Sequence, residues 1–167
     1  IGMMFQNGAL FDSMSVEQNV AFPLIERGIR DDADLDSRVS EALKIVRLHG
    51  KEKMMPSELS GGMKKRVALA RAIIDRPECI CYDEPHAGLD PVTADTIDKL
   101  IKCLQHDHGI TNVVITHDLR SIFRIADRIV FMYNGRVYWQ GACDEMHAST
   151  DPIITRFIAG SDGDWDN

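Results

Sequence analysis

Leu59-Ser60-Gly61-Gly62-Met63-Lys64-Lys65-Arg66-Val67-Ala68-Leu69-Ala70-Arg71-Ala72-Ile73-Ile74, and after it Cys79-Ile80-Cys81-Tyr82-Asp83-Glu84-Pro85, is the stretch whose reading decides the fold. Ser60 is a natural N-cap, and the two glycines let another group approach the backbone closely. The residues that follow are strong helix formers, and Met63, Val67, Ala70 and Ile74 recur at helical spacing, which predicts one apolar face. A helix that opens on Ser-Gly-Gly aims unpaired N–H groups and the positive end of its dipole outward, an arrangement suited to an anion. The second piece is a short, mostly apolar run ending in two acids. That pattern predicts a buried parallel strand carrying Asp83 and Glu84 to the end of a sheet, one acid suited to a hydrated magnesium ion and the next to polarising a water.

Taken together, these residues resemble the ABC ATPase family. Leu59 to Met63 match its signature loop, Asp83 and Glu84 its Walker B acids, and Ala87-Gly88-Leu89-Asp90 its D-loop. His117, at the end of Val113-Val114-Ile115-Thr116, matches the switch histidine, and Gln6 in Met4-Phe5-Gln6-Asn7 matches the Q-loop glutamine. Each motif alone is weak; five in the family's order, from Gln6 to His117, are specific. The resemblance implies an α/β, P-loop NTPase-like core, here incomplete, with an inserted helical subdomain. It implies ATP and Mg2+ as cofactors: Glu84 and His117 as catalytic residues, Asp83 and Gln6 as magnesium contacts, and Gln6, Ser60, Gly61, Gly62 and Asp90 around the nucleotide. It also implies a homodimer in which each ATP is shared between one subunit's phosphate loop and the other's Ser60 and Gly62. Asp90 would couple the two sites, and the Q-loop and helical subdomain would face a transmembrane permease. The implied location is cytoplasmic, peripheral on the inner face of a bacterial inner membrane.

Composition sets limits on what the chain does. Its 167 residues suit one domain with a sizeable core. A net charge of −7 argues against nucleic acid or an anionic membrane surface as the main partner. No apolar stretch approaches the ~20 residues needed to span a bilayer. Of the four cysteines, Cys79 and Cys81 alternate with Ile80 and are expected on one side of the strand as small core hydrophobes, in a reduced cytoplasmic setting.

Along the chain, the motifs predict four segments: residues 1–9 as a strand and the Q-loop, 10–75 as a helical subdomain carrying the signature motif, 76–160 as the C-terminal part of the ATPase core, and 161–167 as a frayed acidic tail. Ser15 with Gln18 predicts a capped helix that Pro23 ends or kinks. Val39, Leu43, Val46 and Leu48 mark a second helix, after a polar stretch from Gly28 to Asp36. Asp90-Pro91 begins another helix, ended at Gly109. Val113 to Thr116 reads as a buried strand. A short helix over Leu119 to Ala126 leads to Arg128–Tyr133, and Asn134-Gly135 predicts a hairpin with Arg136–Gly141 as partner. Only 52 residues separate Gln6 from Leu59, room for a small helical subdomain but not for a long coiled-coil arm.

The phosphate-cradling pattern G-x-x-x-x-G-K-[ST] appears nowhere in these residues. In the family it lies upstream of the Q-loop, so the sequence reads as the C-terminal part of a longer ATPase. Two expectations follow: apolar sheet surface stands exposed, and these residues alone neither bind ATP tightly nor hydrolyse it. The signature departs from the family's commonest form at Met63, where Gln is usual. Together with Phe5-Gln6-Asn7-Gly8-Ala9-Leu10-Phe11 and Asp83-Glu84-Pro85-His86-Ala87-Gly88-Leu89-Asp90-Pro91, it is similar to the Mla/Mce branch, which implies phospholipid or other lipid transport between bacterial membranes. The alternatives are the ATPase of an amino-acid or other solute importer, a non-transport ABC ATPase, and a non-catalytic remnant.

Overall fold

The computed structural model describes residues 1–160. The acidic tail over 161–167, with Trp165, lies outside the described residues. Backbone contacts divide the chain between His117 and Asp118 into two compact units.

The first unit is built on three parallel strands in the order β1 (Gly2–Met4), β2 (Cys79–Asp83) and β3 (Thr111–Ile115). The register sets Met3 beside Cys81 and Val113, and Met4 beside Tyr82 and Val114. Between β1 and β2 run α1 (Val16–Glu26), α2 (Asp32–Ile45) and α3 (Gly61–Ile73); between β2 and β3 runs α4 (Pro91–His108). The helix starts follow their caps. The Ser15 hydroxyl accepts from Gln18 N–H while the Gln18 side chain accepts from Ser15 N–H, the predicted reciprocal box. Asp31, Ser60 and Asp90 cap the other three.

Pro23 does not end α1, which continues to Glu26. Its missing N–H forfeits one intrahelical bond, and the helix carries that loss with Val16, Val20 and Leu24 wholly buried. Burial on this scale is worth roughly 1.5–3 kcal/mol per large aliphatic side chain, comparable to the cost of the proline.

Alternation along the sheet separates its two faces. Met4, Ile80 and Tyr82 are fully buried. The Tyr82 hydroxyl donates to Asn112 Oδ1 (2.9 Å), and Asn112 Nδ2 donates to Ile101 O (3.1 Å), tying β2, β3 and α4 together. Burial pushes the Tyr82 phenol well above its usual range, so it stays a neutral donor. The opposite face is open: Met3 and Val113 are each 48% exposed and Ile115 61%. The expectation of a buried β3 is therefore corrected. Its β-branched residues occupy an edge strand, and only Asn112 and Val114 turn toward the covered side. Cys79 and Cys81 do share one side, as the alternation requires. That side is the open one, so they are half-buried rather than core residues. The apolar sheet surface expected to stand exposed is this face.

The second unit contains α5 (Leu119–Ile125), the antiparallel pair β4 (Ile129–Tyr133) and β5 (Arg136–Gly141), α6 (Cys143–His147) and α7 (Pro152–Ala159). Asn134 and Gly135 both have positive φ, 48° and 73°, as the predicted two-residue turn demands. Ile129, Phe131, Met146 and Ile154 form its buried cluster, with Trp139 and Phe157 packed against it. The two final helices have no counterpart among the sequence expectations, although Asp151-Pro152 repeats the cap-plus-proline start seen at Asp90-Pro91.

Candidate functional site

β2 ends by placing Asp83 and Glu84 at the carboxyl edge of the parallel sheet, the edge at which α/β folds gather ligands. Glu84 leaves the strand with a left-handed backbone, φ 44°, a conformation that costs a non-glycine residue about 1–2 kcal/mol. It is held there on every side. Its N–H donates to Ile115 O (2.9 Å), and its carbonyl accepts from Ala87 N–H (3.2 Å) and from Lys65 Nζ (3.1 Å). The carboxylate meets His117 Nδ1 at 2.8 Å through Oε1 and accepts from the Thr116 hydroxyl at 3.5 Å through Oε2. The strand end thus brings together Asp83, Glu84 and His117, three of the residues singled out from the sequence. His117 stands 81% exposed while Glu84 is 20% exposed, so the pair has one protected member and one facing outward.

Gln6 is exposed, in the turn that follows β1. Two cations of α3 secure the backbone of that turn. Arg71 donates to Ala9 O (2.7 Å) and Gly8 O (2.5 Å), and Lys65 donates to Gln6 O.

Ser60 and Gly61 are exposed at the start of α3, with Ser60 Oγ accepting from Met63 N–H at 3.3 Å. Gly62, one residue on, is buried. A Cβ added at Gly62 would lie 2.3 Å from Cγ2 of Thr93, so only glycine lets the tip of α3 sit against the first turn of α4. There, Asp90 accepts from Val92 N–H and Thr93 N–H (3.0 Å each) and from the Thr93 hydroxyl (2.5 Å). These bonds, the Thr93 hydroxyl foremost, hold the Asp90 carboxyl below its ordinary range. Ser60, Gly61, Gly62 and Asp90 therefore form a second group, at the helix tip.

Several residues of the site are given no role in the reading of the sequence. Lys65 is 6% exposed, and its ammonium reaches the backbone on both sides of the site. Burial lowers its pKa, opposed by the charges of Glu84 and Asp83. Its register is the available signal: Lys65, Ala68, Leu69 and Ala72 share one helical face, which places a cation in an apolar stripe. His86 and Asp98 form a nearly fully buried pair, Nε2 to Oδ1 2.7 Å, which fastens the loop between Glu84 and Asp90 to α4.

The donor set fits the expected groups. Among the described residues no cluster of three or more His, Cys, Asp or Glu is arranged to cage a metal. Magnesium does not need one: it takes one or two protein oxygens and completes its shell with water and phosphate, and Asp83 and Gln6 are donors of that kind. An exposed, capped helix start with a serine hydroxyl suits a phosphate. No described helix is long and apolar enough to cross a membrane.

Comparison with known proteins points to one family. The sequence model of the ABC transporter family matches residues 1–87. The chain is 42% identical to the intermembrane phospholipid transport system ATP-binding protein MlaF of Escherichia coli strain K12, over 96% of this chain and 60% of that one. It is 43% identical to the methionine import ATP-binding protein MetN of Carboxydothermus hydrogenoformans, over 95% of this chain and 47% of that one. Among solved structures it superposes on the ATP-binding cassette MJ0796, a dimer in a post-hydrolysis state bound to ADP and Pi. The TM-score is 0.75 at 34% identity, covering 85% of this chain and 62% of that one. The chain spans about half to three-fifths of the length of the curated relatives it matches.

Proposed function

We propose a function from one premise: the chain belongs to the ABC transporter family, and its fold is that of an ABC ATPase cassette. The protein carrying it binds and hydrolyses ATP to drive lipid transport between membranes, through a permease docked on the Q-loop and helical subdomain, on the cytoplasmic face of a bacterial inner membrane. The supporting observation is the division of the site. Glu84 and His117 meet at 2.8 Å beside Asp83, while Ser60 stands exposed at another place, at the tip of α3. Such an arrangement suits two chains that each complete the other's site.

In this reading Glu84 orients the attacking water and takes its proton on a carboxylate held by Thr116 and His117. His117, with its exposed ring, contacts the terminal phosphate. Asp83 and the Gln6 side chain would hold magnesium, which when bound would neutralise charge on the phosphates. From the neighbouring chain, Ser60 and the amides around Gly61 and Gly62 supply donors aimed where negative charge grows, the largest demand in phosphoryl transfer. Asp90, capping α4 against that same tip, couples one site to the other.

The test mixes two inactive chains of full natural length. Ser60→Arg spoils the tip, and Glu84→Gln spoils the base. If the tip serves the neighbour, each mixed dimer contains one intact site, and a random mixture recovers on the order of a quarter of the unmutated ATPase rate. No recovery from two folded, dimeric variants would defeat the shared-site reading. A second reading, the ATPase of an amino-acid or other solute importer, is favoured by the resemblance to MetN. Stimulation of the assembled complex by phospholipid rather than methionine separates the two.

A further inference from the structure

Lys65 stands where the two groups of site residues connect. It lies on α3 five residues after Ser60, yet its side chain runs the other way, into the protein. Its ammonium donates to the carbonyl of Gln6, in the turn after β1, and to the carbonyl of Glu84, at the end of β2. Burying an ammonium is costly, and a fold keeps one only where its hydrogen bonds and neighbouring charges compensate. Here the compensation is specific: two backbone carbonyls, with the carboxylates of Asp83 and Glu84 close enough to act on it. Glu84 needs such a partner. Its left-handed backbone persists only where the surroundings over-determine it, and Lys65 grips the carbonyl of that residue.

We propose that Lys65 is the positioning residue of this ATPase. It fixes the Gln6 turn and the Glu84 backbone to the same helix whose tip carries Ser60, so that both halves of the site move with α3. The assignment rests on the function proposed above and adds a residue to it. Lys65 touches no substrate; it acts through the atoms it holds. Methionine, unbranched and one heavy atom shorter, would fill most of the same space and leave both carbonyls without their cationic donor. An arginine would keep the charge and offer donors to the same region.

The experiment uses the full natural chain carrying Lys65→Met or Lys65→Arg, with two readouts. The first is hydrogen exchange without nucleotide. Lys65→Met speeds exchange at the amides of Gly8 and Ala87, which bond to Phe5 O and Glu84 O in the two secured turns, by about tenfold or more, and leaves Ala68 to Ala70 in mid-helix unchanged. The second is ATPase kinetics. Lys65→Met lowers kcat by about 10²-fold, as misplacement of a reacting group does, while KM shifts less than about threefold; Lys65→Arg recovers most of the loss. Unchanged exchange at Gly8 and Ala87 overturns the proposal, as does exchange raised uniformly along α3, the mark of a general packing role. An unmutated protein without ATPase activity would count against the function proposed above, whereas the exchange result judges Lys65 by itself.

Discussion

The carboxyl end of β2 and the tip of α3 carry the two groups of candidate site residues, yet the protein builds them in opposite ways. At the strand end, the backbone N–H and C=O of Glu84 and both its carboxylate oxygens have partners within the chain. At the helix tip, Ser60 and Gly61 are exposed, and the serine hydroxyl makes one long bond, 3.3 Å, to its own helix. The contrast is physical. A group that must orient a water gains from being fixed in advance, since misplacement by an ångström costs orders of magnitude in rate. A group that must close on another body has to remain uncovered until that body arrives. One region has its key side chain held from within the chain; the other stands open, as the proposed shared site requires.

The comparison breaks most visibly at Glu84. Glu84→Gln keeps the shape of the side chain and removes the base, and in the full natural chain it is expected to lower kcat by about 10²–10⁴-fold with little change in nucleotide affinity or melting temperature. A large fall in melting temperature would mean that the strand end serves stability rather than chemistry. Next in size is Gly62→Ala. The added methyl meets Thr93 at 2.3 Å, and displacing Thr93 disturbs its bonds to Asp90. Overpacking of this kind costs about 1–3 kcal/mol, measurable as a lower urea midpoint. A neutral result would show that the tip yields freely and is not buttressed by α4.

The smallest effect concerns Asp90. Its carboxyl titrates below the unfolded value, so its contribution is present above the unfolded pKa and is lost as pH falls through the folded one. Asp90→Asn, still a competent cap, is expected to flatten the acid limb of stability below about pH 4 while leaving neutral-pH stability nearly unchanged. An unaltered acid limb in thermal melts would show that Asp90 is not held by the bonds to Thr93.

How much was legible in the sequence follows the same divide between local and long-range order. Caps are local, so Ser15, Ser60 and Asp90 announce their helices, and Asn134-Gly135 announces its turn. Asp83, Glu84 and His117 were legible through motifs, and their meeting in space agrees with a sheet in which β2 and β3 are neighbours. The state of β3 was not legible. A β-branched run looks the same whether one face or two are covered, and coverage is settled by distant elements. Lys65 escaped for a related reason: a lysine in a helix reads as solvated until tertiary structure supplies two carbonyls for it. Of the two outcomes open at Pro23, an ended helix did not occur, because the local breaker was outweighed by the burial of Val20 and Leu24.

The left-handed backbone at Glu84 has a consequence for anyone breeding sturdier variants of this protein. Asparagine or glycine tolerates φ 44° with less strain than glutamate, so heat selection without a turnover assay will favour them at this position. Under the proposed function the winners would be robust and inert, because the strain they relieve comes with the loss of the carboxylate that meets His117.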